Sequence, residues 1–443
     1  MESLEDRWVP ADNSWLGYTA DATDGANWTA NHAPMSHENI YIFANQSDYS
    51  NSDCDLSEIG VGEFASLTIA NDYAYTVTLP DNFTLGGLNF FSGTLNQGVD
   101  DYEEGPELTI ELGMGWYGGT LNDTDYLGIV HFLGGSGTVI DSEGVITGST
   151  LSFECEEETG SNLTVEAGTE VEFTNYAGAI IGGYCTAVVN LGTAILPATV
   201  AFKAVQGIGG GGPEPRLTLR PGSTMTVTGP GTFTCELPIY NYGGVVHVKT
   251  DATASIKKSL VVTSGTGPSY LQETSTAKTI IDHGSRLKVE FGYSQTNGIL
   301  GSDSPSTTQD AVLDGNVVIA GGIIDPNYLG TQGTSFAGSA IRITGYLSWN
   351  SGELWIDVNG SVAGVCDKLK IDGGLTVGSG AAIRAIIIEP PTGRIGGSQS
   401  WSFLTATGGV PTTHPPITMV NGGSTQFTIS AFGSPIDEWR FNS

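Results

Sequence analysis

One short pattern recurs along the chain: leucine, a polar residue, a β-branched residue or a second leucine, then glycine or asparagine a few positions later. Copies begin at Leu67, Leu108, Leu163, Leu217, Leu287, Leu354 and Leu369. Each copy alternates apolar and polar residues with a period of two, which is typical of a β-strand with one buried face. The spacing between copies is irregular, so there is no strict repeat. The pattern predicts an all-β chain, because Gly, Pro and β-branched residues interrupt every segment that could form a long helix.

Two all-β arrangements fit a chain of 443 residues, a string of β-sandwiches or a parallel β-solenoid. Sandwiches predict matched strands joined by tight Asn-Gly or Asp-Gly turns, and such pairs are few here. Single short strands ending in glycine-rich corners are commoner, and the 63 glycines supply those corners. We therefore predict a single-stranded parallel right-handed β-solenoid with roughly 20–25 residues in each coil. Its predicted parts are an N-terminal extended segment and cap (1–60), the solenoid (61–395) and a C-terminal β cap (396–443).

Acidic residues concentrate in the first half of the chain. Residues 1–202 contain 31 of the 48 Asp and Glu residues and one basic residue, Arg7, whereas residues 203–443 contain 17 acidic and 15 basic residues. The negative electrostatic potential that these acids produce repels nucleic acid and anionic membranes, so we expect neither as a partner. Solubility in a salty or acidic exterior is one interpretation of the imbalance. The other is that it favours head-to-tail contacts between copies of the chain.

The sequence predicts no insertion into a membrane, because no apolar run reaches 18 residues. Residues 1–11 contain no hydrophobic signal core, so export would use a signal upstream or another route. The five cysteines include no CxxC pair, which leaves zinc chemistry without support. Two disulfides and one free thiol stay open as an alternative to five free thiols. The cysteines are Cys54, Cys155, Cys185, Cys235 and Cys366.

Both ends of the chain resemble exported bacterial surface proteins. The segment Leu4–Ala11, LEDRWVPA, is similar to a signature near the start of many exported proteins of planctomycete-type bacteria. The next residues resemble the Trp…Asn-Trp…Pro…Phe opening of large autotransporter-associated β-solenoids, and residues near the other end match an Asp-Lys-Leu strand motif of the same group. The matching positions are Trp15, Asn27, Trp28, Pro34 and Phe43, then Asp367, Lys368, Leu369, Ile371 and Gly373. The resemblance implies an extracellular or cell-surface β-solenoid, and it implies no activity, because such proteins serve as stalks, adhesins and coats.

Two motifs resemble sites for catalysis or cofactor binding. The string GTSFAGSA around Ser335 is similar to the nucleophile segment of subtilisin-like proteases, with His283 and either Asp282 or an earlier Asp as the other members of a triad. The residues after Ser335 read as a turn and a strand, whereas that site needs a helix. The run Gly207–Gly212 matches the spacing of a dinucleotide fingerprint but is followed by prolines rather than a helix. We therefore predict no enzyme activity and no organic cofactor.

Acidic clusters offer oxygen ligands that could bind Ca²⁺, the one cofactor that the sequence leaves open. None has the spacing of an EF-hand loop, so solvated acidic loops are the alternative interpretation. The candidate ligands are Asp53, Asp55, Asp100, Asp101, Glu103, Asp123 and Asp125.

Tryptophans near the two ends of the chain are candidate interface residues: Trp8, Trp15, Trp28 and Trp439. They could stack on sugar rings, but we favour a role in covering the exposed edge of a terminal coil. The sequence as a whole predicts a structural subunit of a surface fibre, coat or matrix that associates with itself head to tail. The alternatives are a β-helix polysaccharide lyase or hydrolase and an adhesin that binds a surface polysaccharide.

Overall fold

The leucines that begin the seven sequence copies all lie in β-strands, and none is more than 4% exposed. Each points inward, as the period-two pattern predicts. The one helical segment within the described residues is a single 3-10 turn, Gly25–Asn27. The strands pair mainly in parallel, so the prediction of an all-β chain with parallel sheets is confirmed.

The computed structural model describes most of the chain in separate stretches. They are residues 10–43, 52–97, 107–122, 129–132, 138–140, 143–147, 150–155, 162–174, 178–183, 185–205, 216–249, 252–256, 261–262, 265–302, 309–328, 338–359, 362, 364–389, 400–420, 428–433 and 435–442.

The chain divides into two compact units. Unit 1 contains residues 1–187 and 201–215, and unit 2 contains residues 188–200 and 216–443. The three parts expected from the sequence, with boundaries at 60 and 395, stay a prediction.

Unit 1 contains sixteen described strands, and two further strands cross the division between the units. The sixteen are β1 (Asp12–Ser14), β2 (Asn39–Ile42), β3 (Cys54–Asp55), β4 (Glu63–Ile69), β5 (Thr76–Thr78), β6 (Phe83–Phe90), β7 (Thr94–Asn96), β8 (Glu107–Trp116), β9 (Gly119–Asn122), β10 (Ile129–Phe132), β11 (Thr138–Ile140), β12 (Glu143–Thr147), β13 (Thr150–Cys155), β14 (Asn162–Val165), β15 (Glu170–Thr174) and β16 (Gly178–Gly183). The two that cross are β17 (Thr186–Asn190) and β18 (Thr199–Val205).

Strands of unit 1 stack in three columns, each paired in parallel with the strand one coil earlier and one coil later. The first column is β3, β5, β7, β9, β12, β15 and β18. The second is the first halves of β4, β6 and β8, then β10, β13 and β16. The third is β1, β2, the second halves of β4, β6 and β8, then β11 and β14.

Unit 2 contains twenty-four described strands. They are β19 (Leu217–Leu219), β20 (Thr224–Thr228), β21 (Thr232–Cys235), β22 (Ile239–Asn241), β23 (Val245–Val248), β24 (Thr253–Ile256), β25 (Val261–Val262), β26 (Gly265–Thr266), β27 (Tyr270–Gln272), β28 (Lys278–Ile281), β29 (Arg286–Val289), β30 (Tyr293–Gln295), β31 (Ile299–Gly301), β32 (Ala311–Asp314), β33 (Val317–Ile319), β34 (Ile323–Asp325), β35 (Ala340–Ile343), β36 (Leu347–Asn359), β37 (Lys368–Ile371), β38 (Leu375–Glu389), β39 (Ser400–Ala406), β40 (Ile417–Val420), β41 (Thr428–Phe432) and β42 (Glu438–Asn442).

Unit 2 repeats the three-column arrangement. Its first column is β21, β24, β29, β32, β35, β37 and β39. The second is β19, β22, β27, β30, β33, then the first parts of β36 and β38. The third is β20, β23, β28, β31, β34, the later parts of β36 and β38, then β40. The unit ends with antiparallel pairing of β42 to β39 and to β41.

The number of residues in a coil varies more widely than the predicted 20–25. In unit 1 Val77 faces Leu95, 18 residues later, whereas in unit 2 Ile371 faces Ala406, 35 residues later. The short strands set the minimum length, and connecting segments of unequal length add the rest. This variation explains why the sequence copies have no fixed spacing.

A glycine permits the bend between the second and third columns of unit 1. In β6 the buried residues skip from Leu85 to Leu88, so the alternation changes phase at Gly86 and Gly87. A Cβ atom on Gly86 would lie 2.3 Å from the carbonyl oxygen of Ala65 in the neighbouring coil. The bend therefore requires glycine, because the backbones approach too closely for any side chain.

Buried amides join successive coils inside unit 2. Asn241 faces Gln272, and Gln272 faces Gln295, one coil further on. The Nε2 of Gln295 lies 3.2 Å from the carbonyl oxygens of Gly298, Gly321 and Ile323. These side-chain amides donate to backbone carbonyls at the corners of the coils, which lie outside the hydrogen bonding between strands.

Candidate functional site

Three carboxyl groups come together in the interior of unit 2. Asp325 ends β34, Asp357 lies in β36, and Asp367 precedes β37. Asp357 is 5% exposed and Asp367 is fully buried. Charged side chains are rarely buried without partners, which makes this cluster the strongest candidate for a chemical site in the described residues.

Hydrogen bonds hold the cluster in one arrangement. The Nδ2 of Asn327 donates to Asp357 Oδ2 at 2.9 Å, and the backbone N–H of Asn327 donates to Asp325 Oδ1 at 3.1 Å. Asp367 accepts from two backbone N–H groups, that of Ser339 at 2.9 Å and that of Asp357 at 3.0 Å. The cluster therefore connects residues of β34 and β36 with the segments that precede β35 and β37.

Burial shifts the acid–base behaviour of all three carboxyls in the same direction. Loss of hydration raises the pKa of Asp325 to about 7. Burial and the nearby charge of Asp357 raise the pKa of Asp367 well above its usual value, against two backbone hydrogen bonds that lower it. Burial also raises the pKa of Asp357. Each group thus binds a proton more tightly than a solvated carboxyl does.

The arrangement is suited to holding protons rather than to acting on a substrate. A glycosidase needs two carboxyls that flank a substrate bond, and the carboxyls of Asp357 and Asp367 face the protein interior. Nothing in the local sequence distinguishes these three residues from acids on the surface. The sequence signal that could have identified a buried carboxyl is an Asp within an apolar run, as Asp357 is in Leu354–Asn359.

The first strands of unit 1 are covered by their own chain. The N–H of Thr29 donates to the carbonyl of Ser14 at 3.0 Å, and Thr29 Oγ1 accepts from the N–H of Ser14 at 2.9 Å. The N–H of Leu16 donates to the carbonyl of Asn27. Residues 27–29 therefore occupy much of the edge of β1 that faces away from β2.

The last strands of unit 2 leave edges without a described partner. Strand β40 pairs with β38 on one side, and β41 pairs with β42 on one side. Both strands are half-buried or exposed along their length. Among the described residues a further strand could pair at these two edges and at Asp12 of β1, beside the covered Ser14.

Two of the predicted calcium ligands accept backbone hydrogen bonds, Asp53 from the neighbouring coil and Asp55 within a local turn. Asp53 Oδ1 accepts from the N–H of Thr76 at 2.8 Å, and Asp55 Oδ1 accepts from the N–H of Ser57 at 3.0 Å. Within the described stretches no group of three His, Cys, Asp or Glu residues could hold a metal ion. Asp100, Asp101, Glu103, Asp123 and Asp125 lie outside the described residues.

Three of the four candidate interface tryptophans are buried. Trp15 and Trp28 pack edge to face at 5.0 Å, beneath the covered edge of β1. Trp439 is buried in β42, and its Nε1 donates to the carbonyl of Pro411 at 2.9 Å. Trp8 lies outside the described residues. The three buried rings are not available to stack on a sugar, and their role in an interface stays a prediction.

Neither motif with a possible chemical role can be assembled from the described residues. Ser335 and the run 207–212 lie outside them. Asp282 Oδ1 bonds with Nε2 of His247 at 2.5 Å, on the neighbouring strand. The triad written from the sequence would therefore have its Asp engaged with a different histidine.

The described cysteines behave as small core residues. Cys54, Cys185, Cys235 and Cys366 are buried and free, and the Cys155 side chain lies outside the description. Burial raises the pKa of Cys235 and of Cys366 to about 12. Their thiols are therefore protonated at neutral pH and weakly reactive.

Comparisons with known proteins add no family assignment. No protein-family model matches the chain, and no curated protein matches it. Among the described residues, no helix is long and apolar enough to cross a membrane.

Proposed function

We propose that the chain is an extracellular structural protein of a bacterial surface, a right-handed β-solenoid subunit of a fibre, coat or matrix. The observation that supports this proposal most is the stacking of strands in three columns within each unit. Within each unit, the described strands of one coil bond through their backbones to those of the coils before and after it, which makes a stiff element. The resemblance of both chain ends to exported surface proteins supports the location.

The same proposal includes self-association by strand addition at β40. The N–H of Ile383 in β38 donates to the carbonyl of Pro416. Because successive residues of a strand bond to opposite sides, the N–H of Met419 faces away from β38. A strand of a second copy could accept that hydrogen bond. If the association is head to tail, the partner strand is β1, where the outward backbone groups of Asp12, beside the covered Ser14, have no backbone partner among the described residues.

The experiment compares two proline variants that each remove one outward N–H group. Met419→Pro alters the edge of β40, and Asp12→Pro alters the edge of β1, while the hydrogen bonds to β38 and β2 remain. Association is measured by analytical ultracentrifugation and negative-stain imaging of the purified chain, with and without Ca²⁺. Head-to-tail association predicts that either variant abolishes assembly. Pairing between two β40 edges predicts loss with Met419→Pro alone.

A wild-type chain that stays monomeric under all these conditions would contradict self-association. Immunolabelling of intact source cells tests the location separately, and a label confined to the cell interior would contradict the surface role.

The alternative of a polysaccharide lyase or hydrolase has less support. That reading requires a basic residue that meets two or three acids in a groove. On the first column of unit 2, three described cations each form an ion pair with a carboxylate: Arg286 with Asp314, Arg342 with Asp372 and Lys370 with Asp310.

A further inference from the structure

Corners that each contain a glycine stack between the first and second columns of unit 2. They are Gly315-Asn316, Gly345-Tyr346 and Gly373-Gly374, each between a strand of the first column and one of the second. The N–H of Gly345 donates to the carbonyl of Gly315, and the N–H of Gly373 to that of Gly345. The N–H of Gly408 extends this ladder to Gly373. These glycines, one from each coil, form a strip of backbone without side chains, which we call the glycine floor.

Tyr346 lies on this floor and is 67% exposed. Its N–H is fixed by Oδ1 of Asn316 at 3.0 Å. A Cβ on Gly374 would lie 3.0 Å from Cδ1 and 3.1 Å from Cε1 of the Tyr346 ring. The missing side chain at Gly374 therefore lets the ring lie across the next coil, with most of its surface open to solvent.

Phe291 is a second exposed ring at the same corner of an earlier coil. Four residues separate Lys288 from Tyr293, whereas two separate Asp314 from Val317, the residues that face them in the next coil. The extra length carries Phe291 outward, and it is 51% exposed. Its coil lies two steps before that of Tyr346, a distance of about 10 Å at the usual strand spacing. Exposed aromatic rings are costly in water and commonly mark a binding surface.

A polar wall borders the glycine floor on the side of the first column. Asp314 accepts from Arg286 at 2.7 Å and from Thr344 Oγ1 at 2.6 Å. Asp372 accepts from Arg342 Nε at 3.0 and 2.9 Å. Each carboxylate thus faces a guanidinium, so the wall is rich in hydrogen-bonding groups but close to neutral in charge.

We propose that this surface, formed by Phe291, Tyr346, the glycine floor and the ion-paired wall, binds a neutral linear polysaccharide. The apolar C–H face of a sugar ring packs on an aromatic ring, and its hydroxyls bond to charged side chains at the rim. Two rings about 10 Å apart along the coils suit consecutive sugars of an extended chain. An anionic polymer gains nothing, because the guanidinium groups already have carboxylate partners.

The experiment measures retention of the purified full chain on insoluble cellulose, chitin, xylan and β-1,3-glucan, and on immobilised polygalacturonate as the anionic polymer. The wild type is expected to bind at least one neutral polymer and not polygalacturonate. Tyr346→Ala should weaken that binding at least tenfold. Gly374→Ala keeps the ring but displaces it, so an intermediate loss is expected. Tyr18→Ala, an exposed tyrosine of unit 1, is the matched control and should bind as the wild type does.

Retention on no neutral polymer overturns the proposal, as does equal retention of wild type and Tyr346→Ala. Ultracentrifugation of the same variants separates this surface from the association edges. If Tyr346→Ala abolishes self-association, the occupant is a second copy and the polysaccharide proposal fails. Circular dichroism confirms that each variant is folded before binding is compared.

Discussion

Asp357 and Asp367 bond to each other through reciprocal contacts. The N–H of Asp357 donates to Oδ2 of Asp367 at 3.0 Å, and the N–H of Asp367 donates to the backbone carbonyl of Asp357 at 2.9 Å. A carboxyl so engaged cannot turn toward solvent when it ionises. The free-energy cost of ionising Asp367 therefore lowers the stability of the folded unit 2.

Asp325, the least buried carboxyl of this cluster, should make the stability of unit 2 depend on pH. Its pKa in the folded chain is raised from 3.8 to about 7, so the folded state binds the proton more tightly than the unfolded state. This contribution to stability is complete below the unfolded pKa and is lost as the pH rises through about 7. At about 1.4 kcal/mol for each pKa unit, the loss is at most roughly 4 kcal/mol.

Asp325→Asn removes this titration but keeps an oxygen to accept from the N–H of Asn327. The free energy of unfolding, measured by urea denaturation at pH 5 and pH 8, should change less with pH in the variant than in the wild type. Asp55→Asn is the matched control, because Asp55 makes the same contact with the N–H two residues later but is exposed. An identical pH dependence for wild type and Asp325→Asn would contradict the prediction.

The buried amide of Gln295 is predicted to stabilise its own coil and the next one at once. Gln295→Leu leaves the carbonyls of Gly298, Gly321 and Ile323 without this donor, and the hydroxyl of Tyr293 without its acceptor at 3.0 Å. An unsatisfied buried polar group costs about 1–3 kcal/mol, so we expect a loss of about 3 kcal/mol. Urea denaturation measures the change.

Lys288→Leu provides the control for Gln295→Leu, because it places the same side chain at an exposed position of β29. Its effect should stay within about 0.5 kcal/mol. Equal losses in the two variants would show that the Gln295 amide adds no specific stability.

Alternation of apolar and polar residues was sufficient to predict the strands, because each of the copies from Leu67 to Leu369 needs only its local pattern to choose a buried face. It was not sufficient to predict the carboxyl cluster. Asp325, Asp357 and Asp367 meet because their coils stack, and coil lengths from 18 to 35 residues cannot be read from local sequence.

The acidic cluster around Asp55 contains a local structural signal that the sequence analysis did not use. Asp55 and Ser57 form a local turn, with the Ser57 hydroxyl donating to Asp55 Oδ1 at 2.6 Å. That spacing, Asp followed two residues later by Ser, is a turn signal that sequence alone contains. The calcium interpretation stays a prediction, and this turn is a structural role of Asp55 that the sequence analysis did not consider.

Gly86 and Gly62 should respond differently to the same substitution. A Cβ at Gly86 would meet the carbonyl of Ala65 at 2.3 Å, whereas a Cβ at Gly62 meets nothing within 4 Å. Gly86→Ala is therefore expected to lower the free energy of unfolding by about 2–3 kcal/mol, and Gly62→Ala by less than about 0.5 kcal/mol. Thermal and urea unfolding of both variants measure the difference. Similar losses at the two positions would show that the coil bend tolerates a side chain.

Trp28 should hold the covered edge of β1 in place. It is fully buried, it packs against Trp15, and its Nε1 donates to the carbonyl of Ala22 at 2.8 Å. Replacing a buried tryptophan by alanine costs about 3–5 kcal/mol. Because Trp28 lies beside Thr29, whose backbone covers Ser14, the loss should open the first strands before the rest of unit 1.

Hydrogen exchange followed by mass spectrometry tests this order of opening. In Trp28→Ala the amides of β1 and β2 should exchange faster, while those of β36 in unit 2 keep their wild-type rates. Leu112→Ala, which removes a side chain that is 69% exposed in the same unit, should leave all three strands unchanged. Uniformly faster exchange in both units would mean that Trp28 stabilises the chain globally. Unchanged exchange in β1 would mean that Thr29 holds the edge without help from the ring.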